Sequence, residues 1–330
     1  MSPIEPTPYS KDYEITDAMF GAFRTSGGMA FFWKLTGWAA LFYTALFVAL
    51  VPPLVRAYGD LIIVVSLDSE AEATAQIIGS VFSVLITALL FAIGAFLVQA
   101  VVRAAFYRGY FDGDVGGIFP FQFGADEVRQ ALAIMGYYAI VTIFISVATV
   151  ALAFIVALIA ALAGDSGGPI AAILFIIGYI AMMVGYIWIM TIYAPAGALT
   201  AWRGKTHVLA ARHVTRGRFW AIFGSVLVAG LVGYVAYSVL ASIGMMVGLA
   251  GLFSGEVFAA FIGDNPEDAI TAIIEQTKAP GFMVGVIFAA LLTALGSAIY
   301  MVMIAGPQAF FTYQWAEAEP KPKPLDADLP

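Results

Sequence analysis

Cysteine is absent from the chain. Its absence excludes disulfides, thiol catalysis and thiolate metal sites together. Histidine is nearly absent: His207 and His213 are the only two. Their spacing puts them on opposite sides of a helix, not on the i, i+4 face that holds zinc. No neighbouring carboxylate completes a set, so neither a metal nor another cofactor is expected. Charge is scarce as well. Charged residues make up 11% of the chain, against about 25% in a soluble domain. The long apolar runs hold almost none of it. With the boundaries given below, Lys34 is the single charge inside a run, near its end, where its stem can lie in lipid while the ammonium reaches water. Ion-coupled transporters and pumps keep ionisable groups at mid-membrane, which counts against that class. No Ser-His-Asp set, phosphate-binding loop or pair of membrane carboxylates can be assembled, so a non-catalytic protein is expected.

What is present in abundance is apolar surface. Hydrophobic residues make up 62% of the chain, and mean hydropathy is +0.93. A soluble core of this length cannot hide so much, so the bilayer must act as its solvent. Six runs stand out, at about 31–55, 76–102, 131–163, 170–199, 219–253 and 281–311. They predict an all-α, polytopic membrane bundle of six transmembrane helices with short amphipathic interfacial helices. Residues 1–30 read as a cytoplasmic segment, 31–311 as the membrane domain and 312–330 as a disordered cytoplasmic tail. The opening residues are acidic and Pro-rich without an apolar run, unlike a cleaved signal peptide. Thr16 or Asp17 can cap a helix running to Arg24, with Ala18, Met19, Ala22 and Phe23 on one face. That helix is expected to lie on the membrane surface. Asn265-Pro266-Glu267-Asp268 starts another, with a cap, an N1 proline and first-turn acids.

The basic residues give orientation. Of the fifteen Lys and Arg residues, only Arg56 and Lys278 fall in the first, third or fifth loop. The rest lie in the second and fourth loops, in the tails or at the start of the first run. Positive residues near spans stay on the cytoplasmic side, so both termini are expected inside a bacterial cytoplasmic membrane. The formal net charge of −7 therefore says little about nucleic acid, which is not expected as a partner.

The most basic stretch is 202–218. Arg203, Lys205, Arg212, Arg216 and Arg218, with Trp220 beside them, fit contact with anionic lipid headgroups. Each basic side chain near such a surface contributes about 1 kcal/mol. The same charges also serve topology alone. Thr206 can cap a helix over Val208 to Val214, which Gly217 ends in a left-handed turn. Gly244-x-x-x-Gly248 and Gly281-x-x-x-Gly285 have the spacing that lets helices approach closely. They can do so within one chain, in a homo-oligomer or against another membrane protein. Residues 103–130 read as the first cytoplasmic loop. In it, Asp112-Gly-Asp114 reads as a polar turn, and Asp126 and Glu127 suit the positive end of a helix dipole. Pro195 is expected to kink the inner end of the fourth span. Phe32-Trp33-x-x-x-Gly37 and Phe219-Trp220-x-x-x-Gly224 echo one another, each after a short basic segment, and suggest three helical hairpins.

Several stretches carry a likeness. They are Ala18-Met-Phe-Gly-Ala-Phe-Arg24, Phe123-Gly-Ala-Asp-Glu-Val-Arg129, Ala194-Pro-Ala-Gly-Ala-Leu-Thr-Ala201 and Val208-Leu-Ala-Ala-Arg-His-Val-Thr-Arg-Gly-Arg-Phe-Trp220. In these the chain resembles a broad group of uncharacterised six-span bacterial inner-membrane proteins. It is similar to the membrane domain fused to some glycerophosphoryl diester phosphodiesterases. The resemblance implies the six-span fold. Phosphodiesterase activity belongs to a separate soluble domain of those proteins and is not carried over. The leading expectation is an accessory or lipid-organising protein. The rivals are a transporter or channel for a neutral or amphiphilic solute, with a polar cavity near Pro195 and Pro307, and a subunit of a larger membrane complex.

Overall fold

A computed structural model of the chain describes residues 15–65, 70–162, 167–250 and 280–318. All regular structure in it is helical. A short helix α1 (Ile15–Met19) leads into a 3-10 turn (Phe20–Phe23) and then α2 (Gly28–Val65). There follow α3 (Glu70–Phe111), α4 (Ala125–Leu162), α5 (Gly167–Tyr193), α6 (Ala196–Arg203), α7 (Ala211–Thr215) and α8 (Phe219–Ala250). The last helix, α9, is Pro280–Ala318. Lipid offers no hydrogen bonds to a peptide group, so apolar runs close their bonds internally as helices. Six stretches are long and apolar enough to cross a membrane: Gly28–Leu50, Ile77–Phe111, Ala125–Leu162, Gly168–Arg203, Phe219–Gly248 and Gly281–Glu317. The chain is an all-α, multi-pass bundle.

Helices α2 with α3, α4 with α5, and α8 with α9 form three hairpins, and α9 also runs along α2. The start of α2 and the end of α9 lie at the same end of the bundle, together with α6 and α7. Most of the basic residues gather there, and we call it the basic end. Helix α3 has 42 residues and is about 63 Å long at 1.5 Å per residue, twice the hydrocarbon thickness of a bilayer. The surplus is packed as a closed head at the basic end. There Phe31, Phe32, Leu35, Phe106, Tyr107 and Val302 are all buried in one cluster. Away from the head the outer faces of α3, α4 and α5 are apolar and open. Leu85, Leu89, Ile143, Val150, Phe154, Ile173, Ile176 and Ile180 are exposed.

Several boundaries differ from those read in the sequence. Helix α2 continues past residue 55, the expected end of the first run, to Val65. Helix α3 runs through Arg103 to Phe111, so the residues taken as the start of a loop are its last turns. Helix α9 extends to Ala318, and residues 312–318 belong to it rather than to a tail. Span 4 is broken, not kinked: α5 stops at Tyr193 and Pro195 caps α6, because proline supplies no N–H to continue the ladder. The expected helix over 16–24 is split into α1 and the 3-10 turn, and its small residues face inward. Ala18 and Ala22 are buried. A Cβ on Gly21 would lie 2.8 Å from the Gly306 carbonyl oxygen, so only glycine lets this turn dock on α9. The Asn265 helix, residues 1–14, residues 163–166 and residues 319–330 lie outside the described residues.

Residues 112–124 form a loop that α2 and the residues just before it hold from one side. Ser26 Oγ donates to Gly113 O at 2.9 Å. Lys34 Nζ donates to the carbonyls of Val115, Gly116 and Gly117. Trp38 Nε1 donates to Ile118 O at 3.0 Å. Asp114 closes the turn by accepting from the Gly116 N–H at 2.9 Å. Lys34 is thus bonded to the loop. At the end of the loop, Glu127 Oε2 accepts from the Gly124 N–H at 2.9 Å. This is the reciprocal half of a capping box, which satisfies an N–H left open at the start of α4. The other oxygen of Glu127 pairs with Arg108.

Candidate functional site

The fourth interhelical segment, 204–218, folds into a short structured crossing. Gly204 takes φ +62° and ends α6 in a left-handed cap, and Gly217 takes φ +78° just before α8. Between them α7 is clamped to α5. Thr215 Oγ1 donates to Ile192 O at 2.9 Å and to Ala211 O at 3.3 Å. Val214 is buried with Leu199 and Ile222 in a second cluster. These anchors turn the opposite face of α7 outward.

That face borders a cavity of about 370 Å³, lined by Trp188 and Ile192 of α5, Arg212, His213, Thr215, Arg216 and Gly217 of the crossing, and Phe219 of α8. Arg212 in α7 and Arg216 at its C-cap both line this cavity. Neither side chain makes a hydrogen bond or ion pair among the described residues, and both residues are exposed. Trp188 is 54% exposed, so the α5 wall faces the bundle's outer, apolar surface. The cavity therefore joins two unneutralised cations to a wall that lipid would cover.

The other basic residues expected at the lipid surface are placed differently. Arg203 stacks on the Trp315 ring at 5.0 Å. Arg218 Nη1 lies 3.5 Å from Gln314 Oε1, and burial lowers its pKa. Both are therefore directed to the last turns of α9. Lys205 is exposed beyond the cap of α6. Trp220 is 77% exposed on α8, in an aromatic group with Phe219 and Phe223. Of the six residues, the structure brings together Arg212 and Arg216. His213, read in the sequence only as a poor metal ligand, joins them in lining the cavity. Among the described residues no group of three or more His, Cys, Asp or Glu could hold a metal ion. His207 lies outside the cavity, its pKa lowered by burial and then by Arg203 and Lys205.

The glycines expected at helix contacts divide three to one. A Cβ on Gly244 would lie 2.9 Å from Ala289 O, one on Gly248 would lie 3.0 Å from Ala289 Cβ, and one on Gly285 would lie 3.3 Å from Val247 O. These three form the seam between α8 and α9. Gly281 has nothing within 4 Å. The contact they serve is within one chain.

No protein-family model matches this sequence, and neither curated proteins nor solved structures yield a match. The site therefore stands on its own geometry.

Proposed function

We propose that the protein is a non-catalytic integral protein of a bacterial cytoplasmic membrane, with both termini cytoplasmic, that binds anionic phospholipid headgroups at its basic end. The observation that carries this reading is the cavity between α5, α7 and α8. Two exposed arginines with no counter-ion among the described residues line it, and Trp188, Ile192 and Phe219 complete it. Arginine suits a phosphate because its planar donors pair with two oxygens at once. The aromatic wall suits the acyl–headgroup boundary, where Trp and Phe settle. Lipid-organising or accessory work follows from such a site without any reacting group.

Two cations contributing about 1 kcal/mol each make about 2 kcal/mol, or about thirtyfold in affinity. The test is binding of a fluorescent phosphatidylglycerol to the protein in neutral nanodiscs. Arg212→Gln/Arg216→Gln should weaken binding by about that factor, while Arg203→Gln/Arg218→Gln should leave it within about threefold. Equal effects of the two pairs would reject the cavity as the site.

A further inference from the structure

The loop between α3 and α4 does not stay at the outer edge of the basic end. The chain leaves α3 beside Phe31 of α2, where a Cβ on Gly109 would lie 2.6 Å from Phe31 Cε1. It then runs back along α2 toward the middle of the bundle. Lys34 holds the carbonyls of residues 115–117, and Trp38 holds that of Ile118. Further along α2, the Phe42 ring lies 6.2 Å from that of Phe119 and 5.6 Å from that of Phe121. From Phe31 to Phe42 is about 16 Å at 1.5 Å per residue. Only then does the chain turn to start α4 at Ala125.

The composition and the bonding of this loop both suit hydrocarbon. Residues 115–125 carry no charge. The one polar side chain among them, Gln122, is folded back on Asp114, its Nε2 donating to Oδ2 at 3.3 Å. Irregular backbone at membrane depth is tolerated where protein groups answer it. Four consecutive carbonyls, 115–118, accept from side chains of α2. Asp114 takes the Gly116 N–H, and Pro120 has no N–H to leave open. Lys34, the charge inside the first apolar run, thus supplies donors that water would otherwise give. Pro120 and Phe121 are buried, Phe121 in the cluster of the head. Ile118 is 87% exposed, Phe123 76% and Phe119 40%.

These open side chains are not an isolated patch. Phe119 meets Phe42 of the first span, where Leu41 is exposed too. Phe123 stands two residues before α4, whose Val128, Leu132 and Met135 are exposed. Both helices are long and apolar enough to cross a membrane. An apolar surface continuous with two spans is covered by what covers the spans, which is lipid.

We propose that residues 115–123 form a re-entrant loop, held against α2 by Lys34 and Trp38, that places Ile118, Phe119 and Phe123 in the acyl hydrocarbon of the leaflet at the basic end. The loop sets how deep that end of the protein sits in the leaflet. This surface is separate from the Arg212–Arg216 cavity and does not depend on that reading.

The chain has no cysteine, so a single nitroxide can be attached at one chosen position. The test labels Ile118→Cys and Phe123→Cys in phosphatidylcholine nanodiscs. It measures collisions of the label with oxygen, which concentrates in lipid, and with a water-soluble nickel chelate. Phe154→Cys, exposed on α4, gives the lipid reference, and Lys205→Cys, exposed beyond α6, the aqueous one. Both loop labels should match the lipid reference, with oxygen collisions high and nickel collisions lost. In Lys34→Met the label at 118 should shift to the aqueous reference, while the label at 154 stays where it was, which separates release of the loop from loss of fold. Nickel collisions at 118 and 123 equal to those at 205 would overturn the proposal. So would low collisions with both reagents, the mark of a protein surface over the patch, and so would a label at 118 unmoved by Lys34→Met.

Discussion

Replacing Glu127 by alanine should be among the most damaging single changes outside the apolar core. Its carboxylate does two things. One oxygen pairs with Arg108 at 2.5 Å, with the two side chains only 7% and 11% exposed. The other accepts the Gly124 N–H that opens α4. The Nη2 of Arg108 is already buried without a partner. Glu127→Ala would therefore leave a guanidinium with nothing to balance it, at a cost of about 3–5 kcal/mol. The lost cap adds about 1 kcal/mol. The cost belongs to the orphaned charge rather than to the bond. The double variant Arg108→Met/Glu127→Leu should accordingly recover most of it, ending within about 1 kcal/mol of the wild type or above it. Glu127→Gln retains an acceptor for Gly124 and should fall between. Reversible unfolding in mixed micelles of maltoside and dodecyl sulfate reads all four proteins on one scale. A double variant as unstable as Glu127→Ala would refute the reasoning, as would a single variant within about 1 kcal/mol of the wild type.

The same unfolding assay tests the α8–α9 seam. Gly244→Leu places a side chain 2.9 Å from a backbone carbonyl and should cost about 1–3 kcal/mol, whereas Gly281→Leu, which meets nothing, should stay within about 0.5 kcal/mol. His207 should titrate below the ordinary histidine value, by burial and by Arg203 and Lys205. It is thus neutral at pH 7, and stability it supports is present above about pH 6.5 and lost as pH falls below that toward its folded-state pKa. Nuclear magnetic resonance should show its midpoint rise in Arg203→Gln, and an unchanged midpoint would count against the assignment. Reporters fused at Asp114 and Lys205 should be cytoplasmic and those at Asp165 and Asp264 periplasmic; a cytoplasmic reporter at Asp264 would break the six-span arrangement.

The number of spans was legible because lipid leaves an apolar run no alternative to a helix, so length and hydropathy suffice. The hairpin pairing was legible in outline from the Phe-Trp-x-x-x-Gly echo at Phe32 and Phe219. The head was not. Arg103-Ala-Ala-Phe-Tyr-Arg108 reads as the start of a loop because a positive residue after an apolar run normally marks the membrane edge. Only packing of Phe106 and Tyr107 against α2 and α9 keeps those residues helical, and packing leaves no trace in local pattern. The 16–24 segment looked amphipathic because Ala18, Ala22 and Phe23 share a face. What that face meets is another helix, through the contact of Gly21 with Gly306, which is 285 residues away in the chain. At the basic loop, composition picked out a stretch that borders a cavity. It could not tell which arginines share a cavity, because that depends on Thr215 fixing α7 to the end of α5.

The most direct measurement of the central claim is native mass spectrometry of the protein extracted with its own membrane lipid in polymer nanodiscs. Anionic phospholipid should remain bound to the wild type after the bulk lipid is stripped, and should be depleted in Arg212→Gln/Arg216→Gln. A retained lipid set that matches the bulk membrane in both proteins would contradict a headgroup site at the basic end.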